Sequence, residues 1–218
     1  MGITMAVTGL AYDPEVACRH LTGADPRLAE LIARAGAFTM RPEPTQSMFA
    51  ALLESIVYQQ LSGRAAATIL GRVLVLYRPQ RGPRPQDILD TPPERLRAAG
   101  LSAAKTLAIL DLAARTLDGT VPSMVRIRRM DDEEIIERLT MVRGVGRWTV
   151  EMLLLFRLGR PDVLPLGDLG VRKGFARAIN RRGLADPNVL RRRAERWRPY
   201  RSVASWYLWR ALDDTRPD

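Results

Sequence analysis

Apolar residues recur along this chain at the spacing of α-helices. Phe49, Leu52, Leu53, Ile56 and Val57 stand at positions i, i+3, i+4, i+7 and i+8, which places them on one face of a helix. No segment alternates apolar and polar residues convincingly with a period of two, the pattern of a half-buried strand. The sequence therefore predicts an all-α fold.

Capping residues and proline-rich stretches indicate how the helices are grouped. Asp25-Pro26 is typical of a helix start, and Ser102 can cap a helix over 103–117. The prolines within 77–93 predict a loop with one short turn at most. Proline-rich stretches at 41–44 and 159–161 suggest seams between two helical lobes. We expect a central lobe over 45–159, a second lobe from 1–44 plus 160–218, and an active-site cleft between them.

Composition limits the possible functions. The 218 residues include 34 Lys and Arg against 24 Asp and Glu, a net charge of +10 that favours a polyanionic partner, above all nucleic acid. The single cysteine excludes a disulfide framework and iron–sulfur or zinc sites built from thiolates, and the single histidine argues against a Ser-His-Asp relay. Residues 1–10 do not have the length or charge of a signal peptide, so we expect a cytoplasmic protein without membrane contact. We also expect it to be a monomer.

The strongest signal for binding is a pair of glycines between two predicted helices, over 131–158. Gly144 and Gly146 let the chain turn tightly and bring bare backbone close to a ligand. A predicted helix follows immediately and continues through Leu158, and its first N–H groups face the same place, with Arg147 and Thr149 as the candidate residues there. The segment therefore predicts an anion site that fits a DNA phosphate.

The segment 139–149, Leu-Thr-Met-Val-Arg-Gly-Val-Gly-Arg-Trp-Thr, resembles the helix-hairpin-helix of base-excision DNA glycosylases, specifically the 3-methyladenine DNA glycosylase II group. The resemblance implies an enzyme that flips an alkylated base out of double-stranded DNA and hydrolyses its glycosidic bond. It also implies that no cofactor is required. Family hairpins can bind Na⁺ or K⁺ through backbone carbonyls, which here would be those of Thr140, Val142 and Val145.

In that family an essential aspartate follows the hairpin, and Asp168 matches it, 168 − 146 = 22 residues beyond Gly146. Proline and glycine precede Asp168 and a predicted helix follows it, so its carboxylate lies near a helix N-terminus. A fixed carboxylate there can stabilise the positive charge that builds on the sugar as the base leaves. The alternative is that Asp168 is merely a helix cap.

Two further segments resemble the parts of the family that handle the flipped base. Residues 56–62, Ile-Val-Tyr-Gln-Gln-Leu-Ser, match the segment that ends a helix near the minor groove. Gln60, with Leu61, is the candidate to fill the gap that the flipped base leaves. The alternative is that Gln59 and Gln60 bridge helices through side-chain hydrogen bonds.

The base pocket is predicted from aromatic positions. Trp148 and Trp209 match pocket aromatics of the family, and Met152 stands where some relatives have tyrosine. Aromatic faces attract cationic methylated purines. Trp197 and Trp206 are predicted to be core residues.

The chain lacks the lysine that would follow the hairpin in a relative with lyase activity. Arg147 and Trp148 follow Gly146, no lysine occurs before Arg160, and arginine stays protonated. The resemblance thus implies a monofunctional glycosylase. Alternatives are a glycosylase for another damaged base and a non-catalytic helix-hairpin-helix protein that only binds DNA.

Overall fold

The computed structural model describes residues 9–43, 45, 47–80 and 82–213, and every regular element within those ranges is helical. The all-α prediction is therefore confirmed. The helices are α1 (Pro14–Ala24), α2 (Pro26–Ala35), α3 (Met48–Tyr58), α4 (Gly63–Val75), α5 (Pro85–Leu89), α6 (Pro93–Ala98), α7 (Ala103–Leu117), α8 (Met124–Ile127), α9 (Asp132–Thr140), α10 (Arg147–Phe156), α11 (Leu169–Ala178), α12 (Pro187–Ala194) and α13 (Arg201–Asp213).

The predicted caps form in the structure. The Asp25 carboxylate accepts the Arg27 N–H at 3.0 Å, and the Ser102 hydroxyl oxygen accepts the Lys105 N–H at 3.2 Å. The proline-rich stretch after Tyr77 contains the short helix α5, because Pro85 stands at its start and Asp87 accepts the Arg84 N–H. Among the described residues, no helix is both long and apolar enough to cross a membrane.

The described residues divide into two compact units. One comprises 45–150, and the other comprises the residues up to 44 together with those from 151 onward. The first limit coincides with the predicted seam. The second falls at residues 150 and 151, inside α10, rather than at the proline-rich stretch 159–161, which follows the end of α10 at Phe156.

The first unit, 45–150, is built on α3 and α7. The buried apolar face of α3 includes Leu52, Ile56 and Val57, as its spacing predicts. On α7, Ile109 and Leu112 are fully buried. This packing fixes both helices as a frame for the turns at their ends.

In the second unit, α11 and α13 pack closely against each other. A Cβ at Gly174 would lie 1.8 Å from the backbone oxygen of Leu208, so the two helix backbones are in direct contact there. Trp197 and Trp206 are buried in the core of this unit, which confirms their predicted role. The buried carboxylate of Asp25 accepts a hydrogen bond from the Trp197 indole at 2.9 Å.

Candidate active site

Asp168 is the N-cap of α11, and its carboxylate is firmly held. Its Oδ1 accepts the backbone N–H of Val171 at 2.7 Å. Trp209, on α13, donates its indole Nε1–H to the same oxygen at 2.8 Å. Two donors from different helices fix the rotation of this half-exposed carboxylate, which a cap alone does not require.

Gly170 makes the Asp168–Trp209 contact possible. A Cβ at this position would lie 2.7 Å from Cδ1 and 2.9 Å from Nε1 of Trp209. The indole therefore lies against bare backbone in the first turn of α11. The chain brings together the predicted catalytic aspartate and one predicted pocket tryptophan through a glycine that sequence reasoning missed.

Phe156 is a second residue that sequence reasoning missed. Its ring stacks on that of Trp209, with centroids 5.7 Å apart and planes inclined by 29°. The available signal was its position four residues after Met152 on the same helix face. Phe156 supports the indole that holds Asp168.

The residues predicted for the hairpin form a turn, residues 141–146, between α9 and α10. Gly144 has φ +76°, the left-handed region that favours glycine, and Gly146 has no atom within 4 Å of the place where a Cβ would stand. The Arg143 N–H donates to Oδ2 of Asp111 at 2.7 Å, which ties the hairpin turn to α7. Because α10 starts at Arg147, its first-turn N–H groups have no acceptor within the helix itself, which is the general condition for anion binding at a helix start.

Other predicted DNA-binding and pocket side chains on α10 have different environments. Arg147 donates to the Glu133 carboxylate at 3.0 Å, so its charge is partly neutralised. Thr149 is buried, so its hydroxyl is not presented to solvent. Trp148 is 50% exposed in the first turn, and Met152 is half-buried one turn later.

The predicted cation site uses carbonyls of the same hairpin turn. The Val142 carbonyl accepts the Val145 N–H at 3.0 Å, and a carbonyl oxygen can accept a second partner. Thr140 and Val145 would also contribute neutral backbone carbonyls to the cation, and neither has a charged side chain. The described residues contain no cluster of His, Cys, Asp or Glu side chains that could hold a metal ion. The site at 140–145 thus stays a prediction.

The segment that resembles the family's wedge forms a sharp turn, residues 58–61, which we call the glutamine turn. Gln60 has φ +57°, which is unusual for a residue with a side chain. Gln60 and Leu61 are exposed, whereas Gln59 turns back and donates its Nε2–H to the Gly144 carbonyl at 2.9 Å. Gln59 therefore forms a bridging hydrogen bond, as the alternative prediction has it, whereas Gln60 is exposed to solvent, as the wedge prediction requires.

Lys105 contacts the glutamine turn from α7. Its Nζ donates to the backbone oxygens of Val57 at 2.7 Å and Gln59 at 2.8 Å. Burial of this amine lowers the pKa of Lys105. Sequence reasoning missed this role because 46 residues or more separate the partners.

The sequence of this chain is similar to those of known DNA repair proteins. Residues 53–199 match the family model described as HhH-GPD superfamily base excision DNA repair protein. DNA-3-methyladenine glycosylase 1 of Schizosaccharomyces pombe is 34% identical over 91% of this chain and 89% of its own length. DNA-3-methyladenine glycosylase 2 of Escherichia coli is 30% identical over 72% of this chain and 55% of its own length.

Two solved structures have closely similar folds. The S. pombe 3-methyladenine DNA glycosylase, in complex with abasic DNA, has a TM-score of 0.80 and 33% identity over 92% of this chain and 98% of that one. A DNA-3-methyladenine glycosidase from Bacillus halodurans has a TM-score of 0.81 and 33% identity over 93% of this chain and 90% of that one. The chain belongs to the HhH-GPD superfamily of base excision DNA repair proteins.

Proposed function

We propose that this protein is a DNA glycosylase that hydrolyses the N-glycosidic bond of alkylated bases, of the 3-methyladenine type, in duplex DNA. The carboxylate of Asp168, fixed by the Trp209 indole and the Val171 N–H, carries the proposal. A DNA-binding module without activity needs the hairpin turn but has no use for that pair. The name of a relative that is 34% identical over 91% of this chain gives independent support.

The reaction needs one well-placed negative charge. A base within a duplex must leave the stack before its bond to the sugar is accessible. As that bond breaks, positive charge builds on the deoxyribose, and the Asp168 carboxylate stabilises it and can orient the attacking water. An alkylated purine that already carries positive charge leaves readily, so little acid catalysis is required.

Trp209 gives the site a preference for such bases. Its indole is half-buried and supported on one side by Phe156, so it is held in a fixed position. An aromatic face attracts a cationic methylated purine more strongly than a neutral base. Selectivity for alkylation over deamination or oxidation follows from that difference.

A base-release assay tests the proposed function. The protein is incubated with DNA treated with a methylating agent, and the free bases are separated and identified by chromatography. We expect methylated purines to be released. Release of only deaminated or oxidised bases from suitably damaged DNA would favour another lesion class, and release of no base from any substrate would favour a binding module.

We further propose that the enzyme leaves the DNA strand intact. Cleavage of the strand by β-elimination requires an amine held against the sugar as a nucleophile. The sequence contains two lysines, of which Lys105 bonds to backbone oxygens of the glutamine turn. Lys173 is exposed on α11, five residues after Asp168, a spacing that turns it from the face of the carboxylate.

We expect a product with an abasic site that is cut only after alkali or an endonuclease is added. Borohydride trapping on lesion-containing DNA measures the covalent intermediate directly. An adduct whose yield follows base release, and which is lost in Lys173→Ala, would contradict the monofunctional assignment. The hairpin cation, the monomeric state and the cytoplasmic location remain predictions, and no step of the proposed reaction depends on them.

A further inference from the structure

The glutamine turn has a conformation that its own sequence does not favour. Gln60 has φ +57°, and this left-handed region is sterically unfavourable for a residue with a Cβ. One backbone hydrogen bond, from the Leu61 N–H to the Tyr58 oxygen at 3.3 Å, closes the turn. Contacts from outside the turn must therefore help to hold it.

Lys105 supplies the first of these contacts. Its ammonium group bonds to the Val57 and Gln59 oxygens, at 2.7 and 2.8 Å, where α3 ends. The last carbonyls of a helix receive no hydrogen bond from an N–H group of that helix, and they form the negative end of its dipole. One cation thus holds the backbone immediately before Gln60.

Gln59 supplies the second contact, by linking the turn to the hairpin. Its side chain donates to the Gly144 carbonyl at 2.9 Å across 85 residues of sequence. The hairpin in turn is tied to α7, because the Arg143 N–H bonds to Asp111 at 2.7 Å. Lys105 and Asp111 therefore connect one helix, α7, to both the glutamine turn and the hairpin turn.

All of these contacts lie within the unit 45–150. The hairpin turn carries the backbone groups suited to a phosphate, and the glutamine turn presents Gln60 and Leu61 to solvent. If the two turns moved independently, a bound phosphate would not fix where Gln60 enters the DNA. The shared attachment to α7 gives the two turns one fixed spacing.

We propose that Lys105 and Gln59 are positioning residues that hold Gln60 in its left-handed conformation and in register with the phosphate-binding hairpin turn. They let a single docking event place the wedge at the flipped nucleotide. This inference rests on the proposed glycosylase function, but part of its test needs no catalysis.

A binding measurement on DNA that already lacks one base provides the part of the test that needs no catalysis. Affinities are measured for an undamaged duplex and for the same duplex with a tetrahydrofuran abasic site. The wild-type protein gains affinity at the gap by inserting Gln60. Lys105→Met keeps the side-chain stem and Gln59→Ala removes the link to Gly144, and each is expected to reduce the preference for the abasic duplex about tenfold.

The matched control is Arg19→Met, which also removes one positive charge. Arg19 lies on α1, its side chain is 69% exposed, and it contacts only the exposed Glu15 at 3.8 Å among the ion pairs of the described residues. This variant should keep the wild-type preference. The positioning role would be overturned if the Lys105 and Gln59 variants lost affinity equally for both duplexes, so that the preference for the abasic duplex did not change. Melting temperatures show whether each variant is folded.

Catalysis gives the second readout. Release of the methylated purine is followed under single-turnover conditions from duplex DNA and from the same strand without its complement. We expect both variants to be at least tenfold slower on the duplex and within about threefold of wild type on the single strand, where no base pair must be opened. Equal slowing on both substrates contradicts the proposal, whereas a wild-type protein inactive on both contradicts the glycosylase function instead.

Discussion

Asp168→Asn is expected to reduce base release at least a hundredfold while the protein stays folded. Asparagine retains an oxygen that can accept the Val171 N–H at the start of α11 and the indole N–H of Trp209, so the geometry is kept. The substitution removes the negative charge opposite the sugar, and electrostatic groups of this kind typically increase the rate of the chemical step by a factor of roughly 100 to 1,000. Single-turnover release of methylated purines, with a melting curve for each protein, measures both effects.

Asp186→Asn is the matched control for this change. Asp186 is also an N-cap aspartate, at α12, where its carboxylate accepts the Asn188 N–H at 2.6 Å, and it is exposed. The same substitution there should leave base release unchanged. More than a tenth of the wild-type rate in Asp168→Asn would show that the residue is only a cap.

The Asp168→Asn variant also separates catalysis from DNA binding. Removal of a negative charge from the path of a polyanion should leave affinity for abasic-site DNA unchanged or increase it. A loss of affinity that parallels the loss of activity would mean that Asp168 acts by positioning the DNA.

The sequence predicts those parts of the molecule that depend on neighbouring residues. Helical spacing identifies α3, and local capping residues identify the starts of α2 and α7, because the partners lie within four positions. The glycine pair marks the hairpin turn for the same reason. Asp168 as an N-cap also follows from its immediate neighbours.

Contacts between distant residues are the parts that sequence reasoning misses. Nothing near Lys105 indicates that its amine reaches Val57, 48 residues earlier. Periodicity shows that Phe156 belongs to an apolar helix face, but it does not show that Trp209 lies against it. Arg147 follows the hairpin and suggests a phosphate contact, whereas the structure pairs it with Glu133 from the preceding helix.

The left-handed conformation of Gln60 is a related case. Glycine is the residue that such a position favours, so a glutamine gives no local signal for it. The conformation is held by groups on other elements, Lys105 among them. A position that violates local preference and is held from outside is expected at a functional site.

Gly174→Ala is expected to be the most destabilising small substitution near the active site. The new Cβ would stand 1.8 Å from the Leu208 oxygen, so the backbones of α11 and α13 must separate. Such overpacking against backbone costs about 3 kcal/mol or more, which lowers the melting temperature of a protein of this size by roughly 6 to 12 °C.

The separation also reaches the active site, because α11 begins at Asp168 and α13 carries Trp209. A shift of either helix breaks a hydrogen bond that is now 2.8 Å long. Base release should therefore fall at temperatures where Gly174→Ala is still folded. Gly23→Ala, at a helical glycine of α1 with nothing within 4 Å of the new Cβ, should be neutral or up to about 1 kcal/mol more stable. If Gly174→Ala melted and reacted like Gly23→Ala, the close contact of α11 and α13 would not be what holds the tryptophan on the aspartate.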